Sequence, residues 1–143
     1  MKPEADPISR DEWLIRLVWE DRFTDRSPIV SPNAFEPRGG HHPDTDGISL
    51  FRSDCLTSYA DCLVVVGEEK RLRYGIVQVP VSLLILLALS VKAAPIASVP
   101  GHVVIPELNI SDYLADKAKL TPIKKRLAEV ASDNILRRPL RNA

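Results

Sequence analysis

"WLIRLVW", residues 13–19, decides the fold. Almost every position is apolar, so the period that organises these side chains carries the information. Trp13, Ile15, Leu17 and Trp19 fall on one side of an extended chain, and Leu14, Arg16 and Val18 on the other. Side chains of a strand alternate between faces, so a period of two predicts a strand, with Arg16 alone among apolar neighbours. Just upstream, Ser9 and Glu12 have the S-x-x-E spacing of a capping box and predict a short turn leading in.

Outward from this strand the chain holds further extended segments. "GISLFRS" (47–53) alternates, with Ile48, Leu50 and Arg52 facing one way and Ser49 and Phe51 the other. "DCLVVVGEEKRLRYGIVQV" (61–79) reads as two strands around a Gly-Glu-Glu-Lys turn, and "HVVI" (102–105) as another strand. Pro80 to Leu89 reads as a buried helix with Pro80 in its first turn, and "KAAPIASVP" (92–100) as an extended crossing. Ser111 and Thr121 are expected as N-caps of two C-terminal helices. In the second helix Ile123, Leu127, Val130 and Ala131 form the inner stripe, with Lys124, Lys125 and Glu129 outward. The expected fold is α+β: a small mixed or mainly antiparallel sheet, a buried central helix and a helical C-terminal layer.

The 143 residues suit one domain, with residues 1–8 and 137–143 expected as flexible ends. A content of 45% hydrophobic and 27% charged residues is that of a globular chain rather than a disordered one. The apolar run 75–91 has 17 residues and is broken by Gln78 and Pro80, too short for a membrane span of about 20. The N-terminus lacks the pattern of a secretory signal, so a cytoplasmic location is expected. Cys55 and Cys62 are then reduced, half-buried thiols without a disulfide.

A net charge of zero conceals an asymmetry. Residues 1–70 carry eight Lys and Arg against fourteen Asp and Glu, while residues 71–143 carry eleven against five. The excess lies in Lys117, Lys119, Lys124, Lys125, Arg126, Arg137, Arg138 and Arg141. This basic segment could meet nucleic acid, or an acidic surface of its own fold or of a second copy. No aromatic residue follows Tyr113 to stack on bases, which favours the second option and leaves a homo-oligomer open.

From Ser27 to Gly47 the chain holds four prolines, three glycines and two histidines, and reads as one long loop. Loops of this length in compact domains are commonly functional or mobile. The stretch "HHPDTDGISLFRSD" (41–54) reads as a turn that delivers Ser49 and Arg52 into the sheet, with His41 and His42 outside. Zinc is disfavoured, because Cys55 and Cys62 are too widely spaced for a tight ligand pair and His41, His42, Asp44 and Asp46 suit a turn. No cofactor is expected. Nothing near either cysteine points to a lowered thiol pKa, and "RGGHH" (38–42) lacks the Lys-Ser/Thr of a phosphate-binding loop.

The segments Arg16, "SPNAF" (31–35), "DGISLFR" (46–52), "YGIVQVP" (74–80) and "APIASVPGHVVI" (94–105) resemble a family of small, largely uncharacterised bacterial proteins. Its pattern has an early strand arginine, Ser-x-x-Ala-Phe, a Gly-x-Ser-Val-like strand, a glycine-led apolar strand and a late Pro-Ala-His. Gly101 stands where alanine is expected, beside His102. The resemblance covers roughly residues 13–105 in dispersed pieces and implies a common fold with a shared polar cluster, but no established activity.

The candidate ligand-binding residues are Arg16, Ser31, Ser49, Arg52 and His102. A guanidinium is a preorganised fork for phosphate or carboxylate, and hydroxyls with an imidazole can orient such an anion. The structural alternative is that Arg16 and Arg52 pair with Glu20, Asp54 or Glu107. The order Arg16, Ser49, Glu107 also resembles the skeleton of ADP-ribosyltransferases. That likeness implies an arginine on a nicotinamide dinucleotide phosphate and Glu107 as the transferase glutamate. Glu107 follows Ile105-Pro106, however, and lacks the usual flanking acidic or amide pair. The expectation is a binding or interaction module for an anionic ligand or a protein partner, with a transferase as the alternative and enzymatic activity left open.

Overall fold

The computed structural model describes residues 1–140. Among them, six strands make one antiparallel sheet: β1 (Trp13–Trp19), β2 (Ile48–Arg52), β3 (Tyr74–Pro80), β4 (Lys92–Ala93), β5 (His102–Ile105) and β6 (Ile135–Arg137). Their spatial order is β4-β5-β2-β1-β3-β6, so β1, apolar on both faces except at Arg16, sits inside the sheet.

The alternation read in β1 and β2 sorts their side chains onto two cores. Leu14, Val18, Ile48 and Leu50 join Val77 and Val79 on one face. That face is covered by helix α1 (Val81–Leu86) and by helix α3 (Lys117–Ser132), which follows a short helix α2 (Ile110–Ala115). Ile15, Phe51 and Ile76 point the other way, onto Leu56, Cys62 and Leu63. The fold is α+β, as the pattern predicts, and no helix of the described residues is long and apolar enough to cross a membrane. Cys55 and Cys62 are unpaired and fully buried rather than half-buried, and burial pushes the Cys62 thiol up to about 12.

Several elements differ from expectation, each for a local reason. Residues 61–66 are not a strand: Tyr59–Val65 and Glu68–Arg73 are 3-10 helices. Ser58 and Asp61 form a reciprocal capping box there, and burying Cys62 and Leu63 while exposing Val64 and Val65 follows a turn, not a pleat. Pro80 closes β3, and α1 ends at Leu86 instead of Leu89 with Ile85 and Leu86 exposed. Ala88, at φ 60°, turns the chain left-handed and returns Leu89 to the core.

The N-caps are Asn109 and Asp116, in place of Ser111 and Thr121. The Asn109 side chain accepts from the Asp112 N–H at 2.9 Å and that of Asp116 from the Lys119 N–H at 3.3 Å. Thr121 instead donates its hydroxyl to the Lys117 carbonyl, and Pro122 lies inside α3. Lys124 turns inward to Glu36.

Described residues of both terminal segments hydrogen-bond to the body of the fold. The Lys2 N–H donates to the Asp54 carbonyl at 2.7 Å, and Arg137 lies in β6 with its guanidinium on the Arg71 and Tyr74 carbonyls. The remaining basic-tail residue, Arg141, lies outside the described residues.

Candidate functional site: a cleft where the sheet opens

Strands β1 and β3 pair along all seven residues of β1, and β2 pairs with β5 from Ile48 to Phe51. Between β1 and β2 only Leu14↔Arg52 and Ile15↔Phe51 pair. Beyond Ile15 the two central strands part, and the sheet opens into a cleft of about 790 Å³.

Arg16 is the first residue past the last pair, so its side chain stands where the ladder would have continued. Its Nη1 donates to the Ser49 carbonyl at 2.8 Å and its Nε to the Ala34 carbonyl at 3.1 Å. The guanidinium thus links β1, β2 and the loop that precedes β2. Ser31 prepares that contact by accepting from the Asn33 N–H, which starts the 3-10 turn Pro32–Phe35 and presents the Ala34 carbonyl.

A guanidinium has five N–H donors, and these bonds use two. No hydrogen bond engages Nη2 among the described residues, and the Arg16 side chain lines the cleft. Burial pulls the Arg16 pKa down to about 10, against the attraction of Asp44, and the group stays charged at neutral pH.

Ser49 and His102 also line the cleft. His102 has its Nδ1 on the Ala94 carbonyl at 2.6 Å. A carbonyl only accepts, so Nδ1 carries the proton and Nε2 of the neutral ring is an acceptor. The charged rim consists of Arg22, Arg38, Asp21 and Glu36. Glu36 accepts from Tyr113 and from Lys124 at 3.1 Å; although burial opposes it, these bonds hold its pKa below the usual carboxylate range. Arg38 pairs with the buried Asp44 at 3.2 Å, which closes the turn that carries His41 and His42 on the exposed side.

Three of the five candidates, Arg16, Ser49 and His102, therefore meet at one cleft. Arg52 does not. Its five donors are filled by Glu12 (Nε at 2.8 Å, Nη2 at 3.0 Å) and by the carbonyls of Glu4, Asp6 and Pro7. The partner is Glu12, not Glu20, Asp54 or Glu107: Glu20 takes Arg73, and Glu107 holds Ser90 on another part of the surface. Ser31 acts one bond behind the cleft. No group of three metal-ligating side chains forms among the described residues.

Arg22, Arg38, Glu36, Trp19 and Tyr74 were not legible as site residues. The available signals were the length of the 27–47 loop, which contributes Glu36 and Arg38, and the position of Trp19 on the strand of Arg16. Comparison with known protein families, characterised proteins and solved structures gives no match.

Proposed function

We propose that the chain binds a small anionic ligand, a phosphate ester or a carboxylate, in the cleft between β1 and β2. The supporting observation is that Arg16, with one Nε–H and one Nη1–H held by backbone carbonyls on two elements, lines the cleft with no hydrogen bond on Nη2 among the described residues. Such a guanidinium is held in one orientation before a ligand arrives and loses little freedom on binding. Ser49, with no hydrogen bond on its hydroxyl among the described residues, and His102 lie within the same cleft. Arg22 adds charge at the rim.

Calorimetric titration with pyrophosphate tests this reading. Binding is expected for the wild type, with about a tenfold or greater loss in Arg16→Ala, the scale of one charge-assisted hydrogen bond at 1.5–3 kcal/mol. Arg22→Ala, which removes an exposed side chain, is expected to weaken binding with an unchanged fold. Equal pyrophosphate affinity in the wild type and both variants would overturn the proposal.

One observation favours a second reading, ADP-ribosyl transfer: Arg16 and Ser49, the first two members of that order, line one cleft, with Arg16 on the Ser49 backbone carbonyl. Glu107 is not with them, and the carboxylates of the cleft are Asp21 and Glu36. Release of nicotinamide from a nicotinamide dinucleotide, lost in Arg16→Ala, would support transfer. No release would leave binding alone.

A further inference from the structure

The cleft has an aromatic side as well as a charged one. Its charged apex around Arg16 continues into a wall formed by Trp19 and Tyr74, with Phe51 and Ile96 also lining it. Trp19 and Tyr74 are direct partners across β1 and β3, and their rings meet edge to face at 5.0 Å between centroids. Arg73 lies 4.3 Å from the centre of the Trp19 ring and is itself held by Glu20. The indole is thus fixed from two sides while still lining the cavity. An aromatic surface so immobilised stacks a planar ring at small entropic cost.

Trp19 follows Arg16 by three residues, so their side chains leave β1 on opposite faces, and both line the cleft where β1 parts from β2. Along the adjoining wall, His102, with Nδ1 on the Ala94 carbonyl, has Nε2 as its second hydrogen-bonding atom, suited to a hydroxyl. We propose that the ligand is a nucleotide, with its phosphates on Arg16 and Arg22, a sugar hydroxyl toward His102 and its base against Trp19 and Tyr74. This rests on the anion-binding reading and adds the class of ligand. The cavity, about 790 Å³, has the size of a small-molecule site and exceeds what an inorganic anion fills.

Calorimetric titrations with pyrophosphate, ribose 5-phosphate and ADP test the assignment. ADP is expected to bind about tenfold or more tightly than pyrophosphate, the scale of one stacked base, with ribose 5-phosphate between them or equal to pyrophosphate. Trp19→Ala is expected to collapse the ADP-to-pyrophosphate affinity ratio toward one, and Trp19→Phe, which keeps a ring and the strand, to retain most of it. An ADP affinity no higher than that of pyrophosphate in the wild type overturns the nucleotide assignment while leaving the anion site standing. So does a ratio that survives in Trp19→Ala. Failure of every phosphate to bind overturns the anion-binding reading itself.

Discussion

Arg16 and Arg52 show how little a residue's type reveals until its donors are counted. Both sit on central strands among apolar neighbours, and both are candidates by sequence. Arg52 has all five donors filled within the fold, whereas Arg16 has two of its five filled among the described residues and lines the cleft. The decisive partner of Arg52, Glu12, belongs to a turn 40 residues away, and no local pattern announces that pairing. Glu12→Gln leaves a buried guanidinium without its counter-charge and is expected to cost about 3–5 kcal/mol in denaturant unfolding. Joint replacement by Glu12→Leu and Arg52→Met is expected to recover only part of this, because the Glu4, Asp6 and Pro7 carbonyls lose their donor.

The same pair sets an acid limit. Burial works against the charged Glu12, but its bonds from Arg52 and from the Ser9 N–H prevail and hold its pKa below the usual carboxylate value. A group with a lowered folded pKa binds protons more readily in the unfolded chain. Its stabilisation is therefore complete above the ordinary carboxylate range and lost as pH falls through the folded value. Unfolding free energy measured from pH 7 to pH 3 is expected to fall more steeply in the wild type than in Glu12→Gln.

At the scale of elements, the strands with clean alternation were legible and the irregular ones were not. β1 and β2 lie where the period of two places them, because each buries a different set on each face of the sheet, and β3 and β5 fall within the segments read as strands. The 3-10 segment Tyr59–Val65 carries the β-branched Val64 and Val65 of a strand, and its Ser58–Asp61 capping box outweighs that propensity. β6 is three residues whose pairing with β3 depends on where α3 ends, information that is not local.

The turn into β2 has one strict requirement. Gly47 has φ +119°, and a Cβ there would lie 2.2 Å from the Ile105 carbonyl oxygen. Gly47→Ala is expected to destabilise by more than about 1 kcal/mol and to loosen the β2–β5 pairing, read as faster amide exchange at Val103 and Ile105. His41→Ala and His42→Ala, on the exposed side of the same turn, are expected to change stability by no more than about 0.5 kcal/mol.

At the scale of the molecule, the cleft exists because a continuous sheet stops being continuous between its two central strands. Pairing of β1 with β2 covers two residues, against seven with β3, and the opened edge is bridged by a side chain in place of a ladder. Sequence periodicity assigns faces and is silent about which strands neighbour one another. It therefore exposed Arg16 and Ser49 as polar intrusions without showing that their strands part there. The charge asymmetry likewise became a specific contact only through packing, as Lys124 of α3 reaches Glu36 at the rim of the cleft. Because Arg16 is half-buried while Arg22 is exposed, anion affinity is expected to fall with salt and then level off, since screening acts mainly on exposed charges.

The central claim is that the opened edge of the sheet at Arg16 receives an anion. An NMR titration of the ¹⁵N-labelled protein with pyrophosphate, following backbone amides together with the arginine Nε–H signals, tests it most directly. Saturable shifts are predicted for the Arg16 Nε–H and for the amides of Arg16–Trp19, Ala34 and Ser49, while His41, His42 and the Arg52 Nε–H stay still. Shifts confined to the basic face of α3 around Lys117, Lys119 and Lys125, with Arg16 unmoved, would contradict it.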